Sequence, residues 1–281
     1  MDYLQILILA VIQGLAELLP VSSSAHVITA EKLMNLDPTM PEMTLLLVML
    51  HTGTMFSTIV YFWSAWKRSY FSSMGAFKTN AIWIILATAL TGIVGYGLIT
   101  LIKHVFMSHQ PDFEIEHLFG NARLVAVALA AAGVLIIASS RIRENPRGEL
   151  TLGRAALIGA VQGLCLPFRG FSRSGATISA GLIGGVARKR AEEFSFALAV
   201  VLTPVVIARE VWRVHKMQAA MTSEQASALL HVYTPGLVGM AMSFVAGLLA
   251  LRWLSRWLEG DRWHLFGGYC IVASLAVLWV G

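Results

Sequence analysis

The sequence predicts an all-α polytopic membrane protein with six transmembrane helices plus two re-entrant helical hairpins, arranged as an inverted-topology repeat. Three observations lead there. Of 281 residues, 57% are hydrophobic and only 13% are charged, and the mean hydropathy is +0.69, so polar surface is too scarce to cover a soluble globule. Apolar runs of about 20 residues, the length that crosses a hydrocarbon core ~30 Å thick, recur along the chain between charged, turn-rich stretches. Finally, a polar stretch from Gln13 to His26 has an echo from Gln162 to Thr177, in which Gln13 matches Gln162 and Ser23 matches Ser172, 149 positions apart.

Residues 3–19 read as an apolar helix that Pro20 ends, because proline lacks the backbone donor and clashes with the preceding turn. Ser22 to Ser24 cap a second helix running to about Met34. At ~1.5 Å per residue it covers ~16 Å, too short to cross a bilayer, so the pair reads as a re-entrant hairpin. Spans follow at 43–66, 80–103 and 122–140. The second half repeats the plan, with a broken segment at 153–185 and spans at 193–212, 232–254 and 264–280. Glu42-Met43-Thr44 opens the first span, Glu193-Phe194-Ser195 opens its counterpart, and Thr52 falls on Thr203. The repeats are therefore 1–141 and 142–281, within one membrane domain. No Lys or Arg precedes Lys32, so the basic leader of a secretory signal peptide is missing and residues 3–19 are read as part of the fold.

One non-crossing hairpin plus three spans is an odd number of crossings, which inverts the second half relative to the first. Basic residues orient the pair. The loops holding Lys67, Arg68, Lys78, Arg141, Arg143, Arg147, Arg154, Arg188, Lys189, Arg190, Arg252, Arg256 and Arg262 carry thirteen of the 21 Lys and Arg, and the opposite loops carry six. The positive-inside rule makes the first set cytoplasmic. The loop 104–121 is then external, and the hairpin bearing Glu17 and His26 opens to the outer face. This asymmetry also accounts for the net charge of +5, so no nucleic acid is expected as a partner. Cys165 and Cys270 sit in apolar runs without metal-ligand spacing, which implies neither a disulfide nor zinc.

Ionisable groups at membrane depth are costly and mark function by default. On helices, Gln13 and Glu17 share one face, Ser23 and His26 share another, and folding at Pro20 brings the two faces together. In the echo, Gly170 to Thr177 supplies a flexible loop, several hydroxyls and the Arg173 guanidinium at a helix start, where free N–H groups and the dipole favour an anion. Arginine grips phosphate oxygens in a bidentate way. Together the halves offer an acid/base pair, a nucleophile and an oxyanion cradle. Plainer roles suit other residues: Ser22 and Ser24 as caps and His51 as a satisfied core histidine, while the outer-loop set His104, His109, Asp112, Glu114, Glu116 and His117 fits a metal site and a solvated loop equally well.

At these residues the chain closely resembles the undecaprenyl-diphosphate phosphatases of the bacitracin-resistance type. Glu17-Leu18-Leu19-Pro20-Val21-Ser22-Ser23-Ser24-Ala25-His26 is similar to the family's first motif and Gly170-Phe171-Ser172-Arg173-Ser174-Gly175-Ala176-Thr177 to its second. Glu193-Phe194-Ser195-Phe196 resembles the segment that follows. The resemblance implies hydrolysis of undecaprenyl diphosphate to the monophosphate at the outer face of the bacterial inner membrane, which recycles the cell-wall lipid carrier. Gln13 stands where the family has a second glutamate, and Arg169 stands where a proline precedes the glycine. Each change makes the site more positive. The expectation is that Arg169 takes over part of the role of a divalent cation, Mg²⁺ or Ca²⁺, for which Glu17 is the candidate ligand.

In the resulting mechanism a prenyl diphosphate lipid enters laterally from the surrounding membrane lipids. Arg173, Ser172, Ser174 and Thr177 bind its phosphates, with Gln13, Arg169 and Gly170 completing the substrate site. Ser23 attacks the terminal phosphorus with His26 as general base and then acid, while Glu17 orients His26 or holds the cation. His26 as the direct nucleophile fits the same residues, and the sequence does not separate the two. A homodimer is compatible with this reading. Other functions also fit an inverted repeat of broken helices: a flippase or transporter of lipid phosphate, or a divergent paralogue acting on another prenyl diphosphate. An intramembrane Ser/His protease fits less well, because Arg173 suits phosphate better than a peptide carbonyl.

Overall fold

The computed structural model describes residues 2–37, 41–106, 121–218 and 223–280, so most of the proposed outer loop at 104–121 lies outside the described residues. Every regular element among them is helical, in the order α1 (Tyr3–Leu18), α2 (Ser23–Leu33), α3 (Pro41–Ser69), α4 (Met74–Phe106), α5 (Ala122–Ser140), α6 (Leu152–Leu164), α7 (Arg173–Ile183), α8 (Arg188–Gln218), α9 (Ser223–Glu259) and α10 (Trp263–Val280). Six of these contain stretches long and apolar enough to cross a membrane: Met43–Ser69, Met74–His104, Ala122–Ser140, Arg188–Arg209, Tyr233–Glu259 and Trp263–Val280. Large apolar side chains on them, such as Ile85, Ile93, Val134 and Leu275, are exposed, as a lipid-facing surface requires. The protein is a multi-pass membrane protein.

The remaining helices form two short pairs. α1 stops at Leu18, one residue earlier than the sequence reading set it, because Leu19 precedes Pro20 and takes an extended conformation, φ −76° and ψ 152°, as a residue before proline is driven to do. The chain then reverses at Ser22, whose φ of 65° is left-handed, and α2 begins at Ser23. In the second pair the reversal falls on Gly170, with φ +102°. A Cβ there would stand 2.3 Å from the Val125 carbonyl oxygen, so both its backbone conformation and its surroundings demand glycine. Ser172 then caps α7 by accepting from the Gly175 N–H. Ser22 occupies the equivalent cap position of α2 without such a bond.

Each short helix entering a pair lies against a long helix from the other half. α1 packs on α9 and α6 on α4, both at glycine. A Cβ on Gly14 would come within 2.7 Å of the Ser243 carbonyl oxygen, and one on Gly159 within 2.3 Å of the Ala87 carbonyl oxygen. The tips interlock: Ser174 Oγ donates to the Leu19 carbonyl at 3.1 Å, and Gly175 is set against Pro20. Around them an aromatic core stacks Phe62 on Trp66 and on Phe196, and the Trp66 indole donates to the Glu193 carbonyl. Two hairpin tips from distant parts of the sequence are thereby held in one place.

Candidate active site

Where the tips meet, Glu17 is the centre of a hydrogen-bonded cluster. It lies on the last turn of α1, and Arg173 is the first residue of α7. Arg173 Nη2 donates to Glu17 Oε1 at 2.8 Å. Ser23 Oγ donates to Glu17 Oε2 at 2.6 Å, and Gln13 Nε2, one turn earlier, donates to the same oxygen at 3.2 Å. The sequence reading paired Gln13 with Glu17 and brought both motifs to one point, and these residues are together. His51, read as a core histidine, is also here, with Nε2 3.6 Å from Glu17 Oε2. Its Nδ1 lies 2.8 Å from the Leu47 carbonyl, which can only accept, so Nδ1 carries the hydrogen and Nε2 is the atom left to exchange a proton.

These groups border a cavity of about 320 Å³ that also touches Ser24, Gln162, Arg169 and Glu31. Four buried polar atoms on its lining residues have no hydrogen-bond partner: Arg173 Nη1, Gln162 Oε1 and both carboxylate oxygens of Glu31. Buried polar groups are normally paired, so a cationic donor and a set of acceptors left open around one cavity point to a ligand. Phe196 lies under the Arg173 guanidinium, 5.9 Å from ring centroid to Cζ, and holds its plane in position.

Other residues named from the sequence lie beside the cavity rather than in its wall. His26 Nδ1 donates to the Ser22 carbonyl at 2.8 Å, and its Nε2 is 2.7 Å from the Tyr269 hydroxyl on α10, against which its ring stacks. With Nδ1 protonated, the neutral ring accepts from Tyr269. Ser172 caps α7, Ser174 ties the tips together, and Thr177 bonds to the Arg173 carbonyl and to Ser195 Oγ. These hydroxyls position Arg173. Gly170 forms the turn; its neighbour Arg169, unlike these, is part of the cavity wall.

Glu17 fits poorly as a cation ligand, because Arg173 already neutralises its charge and its oxygens accept three hydrogen bonds. Among the described residues no group of three or more His, Cys, Asp and Glu side chains gathers to hold a metal. Glu31, an acid that the sequence reading did not weigh, lines the same cavity as Gln13 and Arg169.

Residues 6–276 match the family described as "Bacitracin resistance protein BacA". The chain belongs to this family. It is 61% identical to the undecaprenyl-diphosphatase 2 of Acinetobacter baylyi over 278 residues, covering 99% of this chain and 98% of that one. It is 35% identical to the undecaprenyl-diphosphatase 2 of Burkholderia orbicola, over 96% and 94% of the two chains. An undecaprenyl-diphosphatase 1 of Burkholderia pseudomallei is 34% identical over the same shares. The BacA resemblance read from the two motifs thus extends over nearly the whole chain.

Proposed function

We propose that the protein is a membrane phosphatase that hydrolyses undecaprenyl diphosphate to undecaprenyl phosphate and inorganic phosphate in the cavity at the hairpin tips. The observation that carries this reading is the pairing of Ser23 with Glu17 at 2.6 Å beside an Arg173 guanidinium with one nitrogen bonded to Glu17 and the other open. The near-full-length identity to named undecaprenyl-diphosphatases supports the substrate. Arg173 Nη1 binds an oxygen of the terminal phosphate and stabilises the charge that grows there in the transition state. Ser23 Oγ attacks the terminal phosphorus, its proton passes to Glu17, and the bond to the bridging oxygen breaks, with Glu17 handing that proton on to the departing lipid monophosphate and returning to the carboxylate. Water then attacks the phosphoserine with Glu17 taking its proton, and that proton returns to Ser23 as phosphate leaves. His51 Nε2 lies 3.6 Å from the same Glu17 oxygen that accepts from Ser23. His26 steadies the left-handed turn at Ser22 through that residue's carbonyl.

In this reading each short helix pair is a re-entrant hairpin, the halves are inverted relative to each other, and the first pair opens to the outer face of the inner membrane, so that the reaction recycles the lipid carrier where it is discharged. The basic-residue asymmetry supports that orientation. The experiment is phosphate release from prenyl diphosphates by detergent-purified protein. A phosphatase releases phosphate without a bilayer, whereas a pure lipid-phosphate carrier releases none.

A further inference from the structure

The end of α9 carries a second cavity, of about 590 Å³, that shares no lining residue with the site at the hairpin tips. Its wall holds Arg252, Trp253, Arg256 and Trp257, with Leu249 one turn deeper and Arg262 just beyond the helix. Spacings of three and four residues put the five helical side chains on one face of α9. That face is open, with Leu249, Trp253 and all three arginines exposed. Arg252 and Arg256 lie near the end of the span Tyr233–Glu259, where a membrane-spanning helix meets the lipid headgroups. Charge is unbalanced there. Among the described residues none of the three guanidinium groups makes a hydrogen bond or an ion pair. Glu259, three residues past Arg256, forms no ion pair with it, and Asp261 is bound by Arg188. Like charges four residues apart on a helix repel, and a cation at the membrane is costly without a partner.

We propose that this face binds an anionic phospholipid, with the lipid phosphate held between Arg252 and Arg256 and an acyl chain lying along Leu249. Side chains four residues apart on a helix stand about 5–6 Å apart at Cβ, so both guanidinium groups reach one phosphate. Each can grip its oxygens in a bidentate way. A phosphate in that cradle cancels the repulsion that the chain itself leaves unbalanced, and Arg262 adds a third charge on the side away from the hydrocarbon. Trp253 and Trp257 meet edge to face at 5.0 Å, and tryptophan settles at headgroup level, between hydrocarbon and water. Leu249 continues the face toward the bilayer centre, which gives the ligand an apolar end as well as an anionic one. In the orientation proposed above, the site belongs to the cytoplasmic leaflet, where anionic lipids attract basic segments. It goes beyond the phosphatase reading and takes no part in that chemistry.

The test titrates the full-length protein in detergent with phosphatidylglycerol or phosphatidylcholine and counts bound lipid by native mass spectrometry. Wild type should bind phosphatidylglycerol at least about tenfold more tightly. Each basic residue near an anionic lipid surface is worth about 1 kcal/mol, or about fivefold, so Arg252→Gln with Arg256→Gln should cost tenfold or more in that affinity. Lys67→Gln with Lys78→Gln removes the same charge from exposed positions elsewhere and should leave it within about twofold. Arg252→Lys with Arg256→Lys keeps the charge without the forks; its affinity should fall between wild type and the glutamine pair, and it guards against a folding defect in that pair. Equal affinity of wild type for the two lipids would overturn the site. An equal loss in the two glutamine pairs would overturn it too, leaving only a diffuse attraction of basic loops to anionic lipid. Inorganic phosphate in large excess should leave the lipid bound, and full displacement would assign the cradle to a free anion instead. None of these outcomes touches phosphate release at the hairpin tips, so the phosphatase reading stands or falls separately.

Discussion

Arg173 is asked to do two things at once: Nη2 holds Glu17 and Nη1 waits for a phosphate oxygen. A lysine keeps the charge but replaces the planar fork with a point donor that serves one partner. Arg173→Lys should therefore lower kcat for phosphate release by about 10²-fold or more, the usual cost of a transition-state donor, with the protein still folded. Near-normal turnover would show that the second nitrogen is idle. Glu17→Gln removes the acceptor for the Ser23 proton and should be as severe as Ser23→Ala, since removing either member of a unit disables it. Tyr269→Phe takes a donor from His26 without altering the cavity wall, and it should lower kcat only severalfold. Parity between Tyr269→Phe and Ser23→Ala would move the base back to His26. At this scale the sequence showed Glu17, Ser23 and Arg173 because polar groups in apolar runs stand out. It missed His51 and Glu31, which obey the same rule. Glu31 is next to Lys32 and His51 next to Thr52, so neither stands out as part of a motif, and only the packing of α2 and α3 around the cavity turns them toward Glu17 and Arg169. The partner of His26 was hidden for another reason: Tyr269 lies 243 positions away, and no local spacing connects them.

The element that sets the geometry is the turn of the second hairpin. Gly170 holds φ +102° and allows the loop to touch the Val125 carbonyl, so Gly170→Ala should shift the tip and carry both Arg169 and Arg173 with it. A strained backbone residue costs about 1–3 kcal/mol, and the contact with Val125 adds to that. A clear drop in the thermal unfolding midpoint in detergent should accompany loss of phosphate release. An alanine variant with wild-type stability and turnover would mean that the tip does not depend on the glycine. The hairpins were legible at this scale from Pro20 and from helices too short to span. Their interlock was not, because the bond from Ser174 to the Leu19 carbonyl depends on how α1 rests on α9 and α6 on α4.

Across the whole molecule, six long apolar helices and two short pairs were readable from composition and run length, since lipid imposes the length of a spanning helix. Span ends shifted outward, to residue 69 for α3 and 259 for α9, because charged residues continue a helix past the hydrocarbon edge. The orientation rests on the distribution of Lys and Arg, and it predicts a labelling pattern. In intact cells a membrane-impermeant thiol reagent should label a cysteine at Lys103 and spare one at Arg147, both exposed positions, in a background where Cys165 and Cys270 have been replaced. Labelling at both positions, or at Arg147 alone, would contradict the inverted repeat or its orientation. The central claim, that Ser23 attacks the lipid diphosphate in this cavity, is tested most directly by mixing purified protein with undecaprenyl diphosphate labelled with ³²P on the terminal phosphate and quenching in acid within one turnover. The account predicts labelled inorganic phosphate together with an acid-stable label on the peptide carrying Ser23, absent from Ser23→Ala. A label on His26 that survives a parallel alkaline quench but is lost in acid, or no release of phosphate, would contradict it.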